Sequence, residues 1–153
     1  MAALGGRYDL LGYAGRQTWR ALGAFTTVPD VTGFYGPGVP LVIGLAAPLF
    51  VVGFLWSAYK RRWIPVLWVL LTALLGGFML TGAPSSSHYT VSIPAICWLI
   101  AVPLGWLVAH DRRRLALLAL SIVIVTDLVF YFVIYVPGGP RDLFNPFPPW
   151  PPL

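Results

Sequence analysis

The stretch VSIPAICWLIAVPLGWLVA (Val91–Ala109), then His110-Asp-Arg-Arg-Arg114, then LALLALSIVIVTDLVFYFVIYV (Leu115–Val136) decides how this chain is read. Two apolar runs flank a short turn that carries three arginines in a row. A helix needs about 20 apolar residues to cross a hydrocarbon layer ~30 Å thick, and each run is close to that length. Working outward, Val39–Tyr59 and Trp63–Leu80 flank Lys60-Arg61-Arg62 in the same manner. The pattern predicts an all-α fold: an integral membrane bundle of four transmembrane helices over residues 39–136.

Composition points the same way. Of 153 residues, 58% are hydrophobic and 10% charged, with a mean hydropathy of +0.79. A soluble domain carries about 25% charged residues, so a water-facing surface could not be built from this inventory. The net charge of +5 does not imply nucleic acid, because six of the ten basic residues sit in the two turns beside apolar runs. There they act as topology signals and headgroup contacts. The turns occupy alternate connections of a four-pass bundle and so share one face. The positive-inside rule makes that face cytoplasmic, with both termini and the loop 81–90 extracytoplasmic, and the plasma membrane as the expected location.

Residues 1–38 are expected to form an interfacial amphipathic helix and an outer loop. Leu11, Ala14, Thr18, Leu22 and Phe25 recur at spacings of three and four and give one apolar helical face, while Arg16 and Arg20 lie on another. Pro29, Gly33, Gly36, Pro37, Gly38 and Pro40 then impose an irregular loop, which belongs at the bilayer surface where its backbone can be hydrated. Pro48, Pro94 and Pro103 fall within the predicted spans, where a proline removes a hydrogen bond and can kink the helix. Residues 137–153 form a proline-rich extracytoplasmic tail. No periodic repeat is visible, and the two hairpins share only their inside-positive design.

Three residues stand out as substrate-binding candidates. Asp127 falls about twelve residues, or ~18 Å, into the fourth run. An ionised carboxylate at that depth costs some ~2.5–3.5 kcal/mol unless it is paired, so it reads either as the lining of a polar cavity or as a hydrogen-bonded structural group. His88 and Tyr89 close the outer loop Gly82-Ala-Pro-Ser-Ser-Ser-His-Tyr89, whose hydroxyls, imidazole and phenol can bond a phosphate or a sugar; the plainer reading is a polar hairpin loop. His88 and His110 fall on opposite faces, so no metal site is expected. No nucleotide-binding loop or nucleophile–base pair is present, and no catalytic residue or cofactor is assigned.

Several short motifs resemble the carboxy-terminal membrane half of family 39 glycosyltransferases. They are Phe34-Tyr-Gly-Pro-Gly-Val-Pro40 ahead of the span ending in Lys60-Arg-Arg62, Pro84-Ser-Ser-Ser-His-Tyr89 leading to Ile93-Pro-Ala95, and Phe130-Tyr-Phe-Val-Ile-Tyr-Val-Pro-Gly-Gly139 before Asp142 and Asn145. The resemblance runs from about Leu22 to Asn145. It implies transfer of a sugar from a polyprenyl-phosphate donor at the extracytoplasmic face, with His88 and Tyr89 near the lipid phosphate and sugar. That family often has arginine where this chain has His88, and its catalytic acidic motif has no counterpart here, since the chain has no Glu and no adjacent acidic pair. The resemblance therefore implies a carboxy-terminal portion that does not turn over alone and that binds membrane lipid, the polyprenyl-phosphate-sugar donor, and a missing amino-terminal half or partner subunit. The competing expectation is a small non-enzymatic four-helix membrane protein, an accessory subunit or scaffold.

Overall fold

A computed structural model describes residues 10–29, 39–79 and 86–136. Residues 1–9, the early outer loop 30–38, residues 80–85 and the tail 137–153 lie outside the described residues. Within them the chain is helical, with no β-strand. The helices are α1 (Leu10–Gly23), α2 (Ala46–Tyr59), α3 (Trp63–Ala73, continued by a π-helical turn Leu74–Phe78), α4 (Ser86–Tyr89), α5 (Ile93–Ala109) and α6 (Arg113–Val129, continued by a π-helical segment Phe130–Tyr135). A 3₁₀ turn, Thr90–Ser92, joins α4 to α5.

Among the described residues two helices are long and apolar enough to cross a membrane, Thr90–Ala109 and Arg113–Tyr135. The α2–α3 pair also qualifies when taken together, although it bends by 119° at its turn, which gives up to three candidates. The expected run from Val39 is shortened at its start, because α2 begins only at Ala46. The segment ahead of it is drawn off the helix by docking on the end of α1: Leu41 N–H donates to the Ala24 carbonyl (3.0 Å) and Val42 N–H to the Phe25 carbonyl (2.9 Å). Gly44 then turns the chain at φ +54°, a value that disfavours side chains with a Cβ.

The prolines are placed at less cost than their sequence positions suggest. Pro48 falls in the first turn of α2 and Pro94 at the start of α5, where the backbone N–H would have no intrahelical acceptor anyway. Pro103 alone, among the three expected kink sites, is interior.

The tightest helix pairing joins α2 to α5. Ala46, Phe50, Gly53 and Ser57 form the buried stripe of α2, facing Ala95, Ile96 and Leu99 of α5. A Cβ on Gly53 would collide with the Leu99 carbonyl. Small residues at such a contact let the two backbones approach closely, which is how helices gain packing energy where lipid removes the hydrophobic drive. The Ser57 hydroxyl is buried in the same seam without a hydrogen-bond partner.

The α2–α3 and α5–α6 turns are built alike, which the sequence reading did not anticipate. Both close as a Schellman motif. Arg62 N–H reaches the Ser57 carbonyl (2.8 Å) and Arg61 N–H the Ala58 carbonyl (3.1 Å); Arg112 N–H reaches Leu107 (2.9 Å) and Asp111 N–H reaches Val108 (3.2 Å). Arg61 (φ 56°) and Asp111 (φ 61°) hold the left-handed position that glycine usually fills. One turn earlier a tryptophan meets the capping side chain in each: Lys60 Nζ lies 5.3 Å from the Trp56 ring centroid, and the His110 ring 4.2 Å from that of Trp106. Trp56, Lys60, Arg61 and Arg62 thus correspond, at one constant spacing, to Trp106, His110, Asp111 and Arg112. Lys/His and Arg/Asp are unlike pairs, so the correspondence emerges only from backbone geometry.

The helix packing generates a direct test. Gly53→Ala should lower stability in detergent by about 1–3 kcal/mol through overpacking against the Leu99 carbonyl. Gly105→Ala, with no atom within 4 Å of its added methyl, should not lower it. Thermal unfolding followed by circular dichroism measures both; an undiminished Gly53→Ala variant would contradict the packing.

Candidate functional site

The three candidates do not converge on one cavity. Tyr89 is fully buried. Its hydroxyl donates to the Ala21 carbonyl of α1 (3.0 Å), and its ring meets Phe25 edge-on with centroids 5.2 Å apart. Phe25 stacks in turn on Phe50 of α2 at 5.6 Å. The tyrosine fits because α3 ends in Gly76-Gly77: a Cβ on Gly77 would strike the Tyr89 hydroxyl and crowd Ala21 at 2.7 Å. Burial pushes the Tyr89 phenol up to about 12 from its ordinary 10.0. In this structure its polar end is committed to the fold.

The same cluster decides which side of α1 packs on the other helices. Gln17, Ala21, Ala24 and Phe25 are buried, whereas Thr18 and Leu22 are exposed. Ala21 and Ala24 are small enough to let α1 approach the glycine-rich end of α3, so the bulkier Leu22 rides outward. It borders a shallow recess with Leu74 and Phe78. Trp19, 64% exposed, points away from the packed side.

His88 is exposed on the far side of Gly76 and borders a recess of about 310 Å³ with Trp68, Leu71, Thr72, Leu75 and Val91. The Thr72 hydroxyl is turned back onto the Trp68 carbonyl (2.9 Å), so this wall is largely apolar.

Asp127 lines a groove of about 660 Å³ between the start of α2, the length of α5 and the splayed helix α6. Ile96, Ile100 and Leu104 form its α5 wall, and Leu120, Val123 and Phe130 its α6 wall. The groove exists because the two hairpins differ. α3 packs against α5 and α1, while α6 packs against α5 and buries only Ala116 among the side chains of its Arg113–Val129 helix. Near the groove's end, Thr126 touches the turn at Gly44, where a Cβ would come within 2.8 Å of the threonine methyl. Thr90, Tyr131 and Tyr135 gather at the same end, with the two tyrosine rings stacked at 5.6 Å. Asp127 is the one carboxylate on this lining, and the unique thiol, Cys97, is exposed on its α5 side.

Sequence reasoning missed Ala21 and Phe25 as the receptors of Tyr89, its approach to Gly77, and the groove walls. The adjacent Gly76-Gly77 was the available signal for a close approach, but its partner is set by tertiary packing. Among the described residues no group of three or more His, Cys, Asp or Glu is placed to share a metal ion. No protein-family model, curated protein or solved structure matches the chain.

The buried phenol yields a measurable pH dependence. Its folded value lies above the unfolded one, so the contribution is complete below pH 10.0 and is lost as the pH rises through about 12. An alkaline absorbance titration should show a phenol ionising near 12 that disappears in Tyr89→Phe. The same variant should lose about 1 kcal/mol of stability through the missing hydrogen bond to Ala21. A titration without that late step would place Tyr89 in solvent.

Proposed function

We propose that this chain is a polytopic membrane protein whose groove holds the lipid portion of a polyprenyl-phosphate-sugar donor, serving as the membrane part of a family 39-type glycosyltransferase. The observation that carries the reading is the groove itself: a long apolar trough with one carboxylate at its Tyr131–Tyr135 end. Its volume falls within the ~300–1,000 Å³ usual for ligand sites. Aliphatic walls suit a prenyl chain, and Asp127 suits the hydroxyls of a sugar, since a carboxylate accepts hydrogen bonds and repels phosphate. His88, exposed one residue before Tyr89, is available to a headgroup at the neighbouring surface. Tyr89 contributes by fixing the start of α5, one wall of the trough.

The topology we propose is four-pass. Phe50 lies in the first half of α2, Gly77 at the end of α3 and Tyr89 just ahead of α5. Their shared cluster therefore joins the helix ends remote from the two basic turns. That arrangement supports turns 60–62 and 112–114 on one face, cytoplasmic by the positive-inside rule, with α1 at the outer interface. The bent α2–α3 pair then makes two short crossings; α2, at 14 residues, spans ~21 Å and needs local thinning of the bilayer or the irregular segment ahead of it.

Cys97 provides the assay. A polyprenyl-phosphate sugar added to the reconstituted chain should slow maleimide labelling of Cys97, whereas an equal concentration of the water-soluble sugar phosphate should not. Asp127→Ala should weaken the protection by about ten- to hundredfold, in keeping with the loss of a charge-assisted hydrogen bond. Labelling unaffected by the lipid would remove the groove from the donor site and leave the scaffold reading. Single cysteines introduced at Arg61 and Arg113 in a Cys97→Ser background should be shielded from an impermeant thiol reagent in intact cells; opposite accessibility of the two would refute the four-pass topology.

A further inference from the structure

At the opposite end of α6 from Asp127 the structure shows a second amphiphilic surface. Asp111, Arg112, Arg113 and Arg114 border a recess of about 340 Å³ whose remaining walls are Leu115 and Leu117. All three arginines are exposed, and no carboxylate among the described residues pairs with them, Asp111 included. We propose that this recess binds the phosphate of an anionic phospholipid, its acyl chains running along the apolar face of α6 that begins at Leu115.

Three features carry the proposal. Consecutive guanidiniums present forked donors that match phosphate oxygens, which a single ammonium does not. An aliphatic wall directly beneath the cationic rim fits an amphiphile rather than a free anion. The matched turn at α2–α3 supplies the contrast. There Lys60 is drawn back over both Trp56 and Tyr59, with its ammonium 5.3 Å from each ring centroid, and two guanidiniums are left outward instead of three. The Asp111 carboxylate borders the α6 recess and opposes a phosphate there, but three exposed guanidiniums outweigh it. They offer one more forked donor than the α2–α3 turn, so by donor geometry rather than net charge the α6 turn is the stronger site. This depends on the chain spanning the bilayer and not on what the groove contains.

Native mass spectrometry of the detergent-purified full chain tests it, with phosphatidylglycerol and phosphatidylcholine offered in equal amounts. Phosphatidylglycerol should be retained about fivefold better, the order expected for a few cations beside one anionic headgroup. The chain carrying R112Q, R113Q and R114Q should lose that preference, and the single Arg113→Gln variant, which leaves the fold and most of the charge intact, should halve it roughly. K60Q, R61Q and R62Q together, which remove the same formal charge, should keep most of it. Leu117→Gln should weaken retention of the lipid while leaving charge unchanged. An equal loss from both triple variants would mean diffuse charge and overturn the site. So would the lack of any headgroup preference, or displacement of the lipid by millimolar inorganic phosphate.

Discussion

The phenol of Tyr89 sits where three otherwise separate parts of the chain meet, and the remaining architecture follows from that meeting. Its hydroxyl is held by the backbone of α1, its ring by Phe25 and through Phe25 by α2, and its access by the side-chain-free end of α3. A buried hydroxyl without an acceptor would be costly, so the Ala21 carbonyl makes the arrangement specific as well as compact. Because Tyr89 directly precedes the 3₁₀ turn into α5, fixing it also sets where α5 begins. The α2–α5 seam, with Gly53 against Leu99, then continues that alignment along the helices.

The consequence is an unequal pair of hairpins. The first is closed, with α3 pinned by α1 on one side and α5 on the other. Among the described residues the second has no equivalent of α1, so α6 rests on α5 and leaves its other flank open. An open flank in a membrane protein is available to lipid or to another helix without the exposure penalty that water would impose. Asp127 on such a flank is costly in bare hydrocarbon unless it is hydrogen-bonded, and that cost is the reason for proposing a ligand with hydroxyls rather than an unmodified acyl chain.

Much of this was legible in the residues. Apolar length and basic turns are local properties, so the helices around Lys60-Arg-Arg62 and Arg112-Arg-Arg114 could be read directly. The amphipathic character of α1 was also local, but the side that packs on α3 was not, because nothing in the spacing marks Ala21 as a helix contact. Packing against a Gly-Gly end rewards small size over apolar bulk, and only the partner reveals that preference. Likewise, Tyr89 in a serine-rich loop suggested a ligand contact, whereas its hydroxyl is taken by a residue 68 positions earlier.

What the sequence alone determined is the solvent and the class of structure: apolar runs with few charges must be helical in lipid, since no other element there satisfies its own backbone. Tertiary structure alone decided that α2 starts late and α6 splays, that the two turns share one backbone design, and that Asp127, Cys97 and the paired tyrosines line one trough. These outcomes depend on contacts between residues distant in the chain, whose energies are set by shape at the point of contact and carry no periodic signature.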